Sequence, residues 1–490
     1  MKNINKTMMH YFEWYTKPED NLWLKVANQA DFLSSIGITH IWLPPAYKGS
    51  SGISDTGYGV YDMYDLGEFP QKGSIRTKYG TKEEYLNAIE KLHDNDIEVL
   101  ADIVLNHRLG ADGVENVLAI EKDYKNRNYT LSSPKVIKAW TKYTFDARKN
   151  KYSSFKWNWT HFDGVDYDEN TKKNSIYLFY GKHWDEDVDR ENGNFDYLMG
   201  EDVDFENPEV VEEIFNWAKW YLETTHVDGF RMDAIKHISC SFMKKFLNEL
   251  RKETYQDLFS IGEYWSSNVD TLNNYLSNVD NSLSLFDVPL HYNFYQASNS
   301  NGNYDMRNIF NGSLVACNPD KAITFVDNHD TEIGQSLQSW VQDWFKPLAY
   351  ALILLRNVGL PCIFYGNYYG IPKQNVAPMK KWLDKLILCR KYFAYGKETD
   401  YFDDYNIIGF TRTGDSEHSD SGMAVIMSDG PGGSKVMNVG KYLSNCILYD
   451  ITGNLKETVY VDKDGNGIFY TAGGNVSIWV KANNVYKDNF

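Results

Sequence analysis

Four short polar clusters stand where apolar, strand-like runs end. They are Asp102 with Asn106-His107, Arg231-Met232-Asp233 continuing to Lys236-His237, Glu263 with Tyr264-Trp265, and Asp327-Asn328-His329-Asp330. Charged groups are rarely buried unless paired. One such cluster reads as an ion pair, Arg231 with Asp233 for example, but four at equivalent strand ends are hard to ascribe to stability. Asp233 and Glu263 are 30 positions apart, about one strand–helix repeat, which predicts neighbouring strands with the two carboxyls side by side. Two carboxyls in unlike surroundings are what glycoside hydrolysis needs: one ionised to attack, one protonated to release the leaving oxygen. Arg231 shares a strand face with Asp233 and would lower its pKa. Glu263 has two aromatic residues after it and no adjacent cation in sequence, a setting that would raise its pKa as a general acid requires.

The elements that must position these groups are legible from periodicity. Met8 to Tyr15 reads as a strand, Leu22 to Ile36 as a helix stopped by Gly37, and Ile38 to Leu43 as a strand. Thr81 with Glu84 forms a capping box that opens a helix to Leu92, and Ile97 to Leu105 is a third strand. Alternation then stops from about Arg108 to Asn207, a polar stretch too long for a loop, which predicts an inserted domain of short irregular strands such as Ser175 to Tyr180. It resumes with a helix (Val210 to Tyr221), strands near residues 230, 260, 285, 324 and 363, and a helix from Trp344 to Val358. Continuous apolar strands alternating with helices predict an α/β fold, a parallel (β/α)8 TIM barrel whose reactive groups sit at the C-terminal strand ends. Residues 1–107 and 208–395 would form the barrel and 108–207 the insert. Residues 396–490, β-rich and broken by glycine, would form a C-terminal antiparallel β-sandwich. Asp462-Lys463-Asp464-Gly465 resembles a calcium-loop start but lacks the glutamate at position twelve, so it reads as a hairpin turn.

Composition narrows the partners. The net charge of −17 argues against nucleic acid and against anionic membrane surfaces, and suits a neutral substrate. Aromatic residues make up 15% of the chain, which fits either dense packing or stacking on sugar rings. Five scattered cysteines without a CxxC pair give no disulfide framework or zinc site. With no secretion signal or membrane-length apolar run in the sequence, the expectation is a cytoplasmic enzyme, read as a monomer.

The clusters Asp102-Ile-Val-Leu-Asn106-His107, Gly229-Phe-Arg-Met-Asp233-Ala-Ile-Lys-His237, Glu263-Tyr-Trp265 and Phe325-Val-Asp-Asn-His-Asp330 resemble, in order and spacing, the four signature regions of the alpha-amylase family, glycoside hydrolase family 13. Gly57-Tyr-Gly-Val-Tyr-Asp62 and Glu191-Asn-Gly-Asn-Phe-Asp-Tyr-Leu-Met199 extend the similarity toward bacterial liquefying and cytoplasmic members. The resemblance implies retaining endo-hydrolysis of α-1,4-glucosidic bonds in starch, glycogen or maltodextrins. It implies Asp233 as nucleophile, Glu263 as acid/base and Asp330 as a third carboxylate on the sugar hydroxyls. Arg231 would orient Asp233, His107 and His329 would bond the sugar at the cleaved linkage, and Tyr58 would stack on it. Lys236 and His237 would meet the leaving-group side. Taken alone, His107 reads as structural and Tyr58 as core, while Trp265 fits substrate stacking and rim packing equally.

Asp163, Asp185, Asp196, Asp202, Asp204 and Glu206 crowd a region with few cations in sequence, and hard oxygen ligands favour Ca²⁺. The resemblance implies one calcium on Asn106, Asp196, Asp202 and the His237 carbonyl. It also implies a second with Na⁺ drawing on Asp163, Asp185, Asp204 and Glu206, although Gly200-Glu201 and Glu206 depart from the family pattern there. Alternatives are a transglycosylase or α-1,6-glucosidase of the same family, and a non-catalytic glucan-binding protein on the same fold.

Overall fold

The computed structural model describes residues 4–490. Eight parallel strands close into a barrel in chain order: β1 (Met8–His10), β2 (His40–Leu43), β3 (Glu98–Ile103), β4 (Gly229–Met232), β5 (Phe259–Gly262), β6 (Ser284–Phe286), β7 (Ala322–Phe325) and β8 (Leu360–Phe364). Closure is made by β1 against β8, with Met8 opposite Cys362. Helices on the outside cover the sheet, so the strands are apolar on both faces and almost wholly buried. The helix Leu22–Ile36 ends where Gly37 takes φ 115° and its N–H reaches the Leu33 carbonyl, a backbone state that suits glycine. Lys82–His93 opens on the expected capping box between Thr81 and Glu84.

Some elements differ from the expectation. The first strand stops at His10 rather than Tyr15, because the chain turns over the barrel mouth: the N–H of Trp14 donates to Glu332 at 2.8 Å. The helix expected from Trp344 to Val358 runs only from Lys346 to Leu354. The insert is more regular than expected. Between β3 and β4 lies a six-stranded antiparallel sheet whose longest members are Gly113–Lys122 and Lys135–Lys142. In the second of these Ile137, Ala139 and Thr141 are buried while Val136, Lys138 and Trp140 face outward. That two-residue alternation is the mark of a half-buried strand.

The C-terminal region is a six-stranded antiparallel sheet packed on a two-stranded ribbon, Gly433–Asn438 with Asn466–Thr471. Ala424, Ile426, Met437, Phe469 and Trp479 form the core between them. Asp462 does make a turn, its Oδ1 accepting the N–H groups of Asp464 and Asn466. It is not a hairpin, however: Thr458–Tyr460 pairs with Ile447–Asp450 in the large sheet while Asn466–Thr471 belongs to the ribbon.

Candidate active site

The barrel register brings the clusters together. Arg231 on β4 is opposite Asp102 on β3, and Met232 is opposite Gly262 on β5. Asp233 and Glu263 each follow one member of that last pair, so they emerge side by side at the C-terminal rim. The ladder continues one step past the strands: the N–H of Asp233 reaches the Ile103 carbonyl and that of Glu263 reaches the Met232 carbonyl, both at 2.9 Å. Gly229 and Gly262 allow this spacing. A Cβ on Gly229 would lie 1.8 Å from the Phe259 carbonyl oxygen, and one on Gly262 would lie 2.2 Å from Ile235 Cδ1.

Arg231 is fully buried and faces three carboxylates. Its Nη1 donates to Asp102 Oδ1 at 2.8 Å and to Asp233 Oδ1 at 2.7 Å. Its Nη2 lies 2.8 Å from Glu263 Oε2 without aligned hydrogen-bond geometry, so that contact is one of charge. The expectation that Glu263 lacks a cationic neighbour is therefore corrected: the cation arrives from the adjacent strand, which sequence adjacency does not show. A second correction concerns Asp233. Burial raises its pKa and outweighs the lowering by Arg231, so its net shift is upward. Burial likewise raises Glu263, and Asp233 pushes it further up, while Glu263 lowers Asp233. Asp330 is raised well above the usual carboxylate range, by burial and then by Glu263. One guanidinium cannot neutralise four buried carboxylates, so the group as a whole favours holding protons among its members.

These groups open into a cleft of about 450 Å³. Tyr58, His107, Asp233, Lys236, His237, Glu263, Trp265, His329 and Asp330 all line it; Arg231 lies beneath its floor. Tyr58, Trp14 and His329 form a near-parallel wall, with Tyr58 and His329 centroids 5.1 Å apart at 12° and Trp14 and His329 6.1 Å apart at 1°. Tyr58 is fixed by its hydroxyl donating to Asp102 at 2.7 Å. His107 Nε2 donates to the Tyr58 carbonyl at 2.9 Å and leaves Nδ1 without a partner. Burial holds His107 down to about 4 and His329 well below its ordinary value, so both are neutral at pH 7. Asn328 Oδ1 accepts from the N–H groups of Asp330 and Thr331, which locks the loop carrying His329 and Asp330. Trp265 lines the cleft, and it is held in the rim by its Nε1, which donates to Tyr292 at 3.1 Å. Lys236 Nζ bonds Glu191 at 2.8 Å, and His237 Nδ1 donates to the Phe195 carbonyl at 2.6 Å.

Trp14, Phe195, Leu198 and Met199 line the cleft without having been singled out as site residues. A usable signal was present: three of them are apolar residues in a polar insert, and Trp14 closes the run that begins with β1. Asp327, although in a polar cluster, turns away from the cleft and accepts from Val341 and Asn367.

Beside the cleft, Asp163, Asp196 and Asp202 are buried and offer carboxylate oxygens within 4.8 Å of one another. One oxygen of Asp202, one of Asp185, and both side-chain polar atoms of Asn106 are buried without a protein partner. Burial and mutual repulsion raise Asp163, Asp196 and Asp202 well above the carboxylate range and Asp185 up to about 7. This donor set fits a hard divalent cation. The region is less short of cations than the sequence suggested, since Lys182 pairs with Asp204; His183 also lies 2.8 Å from the exposed Glu206.

An eight-stranded parallel barrel with clustered carboxyls at its C-terminal rim is an enzyme scaffold of the (β/α)8 class, with a rim composition that suits sugar-bond hydrolysis. The family description "Alpha amylase, catalytic domain" matches residues 23–400. The chain is 54% identical over 479 residues to an alpha-amylase of Geobacillus stearothermophilus, covering 97% of this chain and 87% of that protein. It is 51% identical to a glucan 1,4-alpha-maltohexaosidase of Bacillus sp. (strain 707), covering 97% and 92%. It is 44% identical to the cytoplasmic alpha-amylase of Escherichia coli (strain K12), covering 97% and 99%. An alpha-amylase structure from Geobacillus thermoleovorans superposes with TM-score 0.62 at 18% identity, covering 97% of each chain, a likeness of fold. The chain belongs to the alpha-amylase family of glycoside hydrolases.

Proposed function

We propose that this enzyme hydrolyses internal α-1,4-glucosidic bonds of α-glucans with retention, through a covalent glycosyl-enzyme. The observation that carries this reading is the placement of Asp233 and Glu263 one residue beyond a register pair, on the two terminal nitrogens of one buried guanidinium, at 2.7 and 2.8 Å. Retaining enzymes hold the two carboxyls about 5–5.5 Å apart, whereas inverting enzymes keep about 6.5–9.5 Å for a water. Asp233, ionised against Arg231, attacks the anomeric carbon while Glu263 gives its proton to the leaving oxygen. A β-linked glycosyl ester forms on Asp233. Glu263, now ionised, deprotonates the incoming water, and the α-configured product leaves. Asp330 would accept hydrogen bonds from the sugar hydroxyls, and neutral His107 and His329 would orient the ring against the Trp14–Tyr58 wall. Lys236 and His237 would face the leaving chain. The named activities of the relatives at 54% and 51% identity support an α-glucan as substrate.

The aspartates Asp163, Asp196 and Asp202, with Asn106, are proposed to hold a Ca²⁺, and the His237 carbonyl would complete the set. Asp185, Asp204 and Glu206 would serve a second calcium with Na⁺. When bound, the ion supplies positive charge that tethers the insert to the barrel. A cytoplasmic setting is supported by the similarity to the E. coli enzyme so described.

The test is turnover of a maltooligosaccharide with the anomeric configuration followed by NMR. The α-anomer must appear first, and Asp233→Asn and Glu263→Gln must each abolish turnover of unactivated substrate. Initial β-anomer, or substantial turnover by either variant, would overturn the assignment. Products longer than the substrate would favour transglycosylation.

A further inference from the structure

A second cavity, of about 600 Å³, opens beside the cleft and shares Trp14 with it. Three lysines reach it from segments far apart in the chain. Lys17 comes from the turn before the helix Leu22–Ile36, Lys78 from the loop before Lys82–His93, and Lys373 from the turn Pro372–Gln374 beyond β8. Among the described residues none of the three ammonium groups forms an ion pair. Lys78 is 8% exposed, and the one hydrogen bond of its Nζ is long, 3.4 Å to the Trp14 carbonyl. Lys373 Nζ rests 4.2 Å over the Tyr15 ring, and Lys17 is exposed. Asp55 lines the same cavity, but its oxygens are engaged by the N–H groups of Ser51 and Gly57, both at 2.9 Å. The other acids near Lys78 are also engaged: Glu13 is buried and accepts the Tyr15 N–H at 2.5 Å, and exposed Asp20 accepts the Lys17 N–H at 2.8 Å. Burial lowers the Lys78 pKa; Glu13 and Asp55 only partly offset that, and Lys373 lowers it further. In a chain of net charge −17, three cations facing one carboxylate reverse the sign locally. A neutral sugar can use such ammonium groups only as hydrogen-bond donors. A phosphomonoester brings about two negative charges at pH 7 and three strong acceptor oxygens, and lysine serves phosphate as a point charge.

We propose that this cavity binds the phosphate of a hexose phosphomonoester, held between Lys17, Lys78 and Lys373 at the edge of the cleft. Two sources present this chemistry. One is a phosphate ester on a glucan chain lying in the cleft. The other is a free hexose phosphate that occupies the cavity and obstructs the chain beside Trp14. The first source rests on the hydrolytic reading above; the binding itself does not.

The test measures binding by calorimetry, with glucose 6-phosphate and glucose as probes, and hydrolysis of maltoheptaose with and without a single 6-phosphate. The variants are Lys17→Ala/Lys373→Ala, whose side chains are exposed, and Lys78→Gln. Wild type binds glucose 6-phosphate and not glucose, and raising salt from about 20 to about 200 mM weakens that binding, as charge pairing requires. Each variant loses about ten-fold in affinity or more, the scale of a lost charge-assisted bond. A phosphate carried by the glucan raises kcat/KM on the phosphorylated chain over the plain one, a preference the double variant loses while it still turns over the plain chain. A free ester instead raises KM for plain maltoheptaose with kcat unchanged, and the double variant loses that inhibition. Equal affinity for glucose 6-phosphate and glucose, or binding that the double variant keeps, overturns the proposal. Binding that is lost with the lysines, in an enzyme that cleaves neither chain, supports the phosphate site and refutes the hydrolytic reading.

Discussion

Asp102 and Asp233 are held by the same nitrogen of Arg231, at 2.8 and 2.7 Å. Asp102 also receives Trp42 Nε1 at 3.0 Å and the Tyr58 hydroxyl at 2.7 Å. One buried carboxylate therefore fixes the cation that orients the proposed nucleophile and the ring proposed to stack on substrate. Arg231→Lys keeps a charge but cannot span Asp102, Asp233 and Glu263 together. Its kcat falls by about 10²-fold or more, the scale of losing one preorganised donor. Because Arg231 lowers Asp233, weakening it raises that pKa, and the acidic limb of the activity profile moves to higher pH. A pH–rate profile with an unmoved acidic limb would contradict this.

Glu332 is fully buried, bonded through one oxygen to Trp14 and unpaired at the other. Burial, with Glu13 close by, pushes its pKa up to about 9. The folded state then binds more protons than the unfolded one between the ordinary glutamate value, about 4.3, and about 9. Its contribution to stability is full below that window and declines as pH rises through it. Glu332→Gln mimics the neutral acid and keeps the bond to Trp14. Thermal melts from pH 5 to pH 9 should show the variant gaining on wild type as pH rises, and a constant or shrinking difference would refute the assignment.

Removing the proposed calcium leaves Asp163, Asp196 and Asp202 crowded and buried. Chelation should lower Tm, and added Ca²⁺ should restore it in proportion to the logarithm of its concentration. Asp202→Asn should blunt that dependence. Melting insensitive to both chelator and Ca²⁺ would count against a structural cation.

Gly229→Ala forces a methyl against the Phe259 carbonyl oxygen in the parallel ladder. Overpacking of this kind costs about 1–3 kcal/mol or more. Denaturant midpoints should show at least that loss, and wild-type stability in the variant would mean that the β4–β5 spacing is wrong.

Barrel and rim were legible in the sequence for a physical reason. Doubly covered strands are continuous apolar runs, and the groups they carry follow their last residues, so Asp233, Glu263 and Asp330 are marked by position as well as type, while Arg231 is marked as a charge inside an apolar strand. What crosses between strands was not legible. The contact of Arg231 with Glu263 depends on β4–β5 register, and the net rise of the Asp233 pKa depends on burial that outweighs a visible neighbour. The long strands of the insert were obscured by polar outward residues such as Lys138, although their two-residue alternation was present. The sequence marked Asp163, Asp196 and Asp202 as one acidic region, but the resemblance assigned Asp163 to the second metal, whereas in space it joins Asp196 and Asp202.

In the proposed reaction Asp233 becomes glycosylated with Glu263 as its acid/base partner. Mass spectrometry of Glu263→Gln mixed with α-maltosyl fluoride reads out that ester. Fluoride departs without an acid, so the first step proceeds, while the second lacks its base and stalls. A maltosyl adduct should accumulate within the mixing time, map to Asp233, and be absent in Asp233→Asn. Consumption of the fluoride with no adduct, or an adduct on another residue, would contradict it.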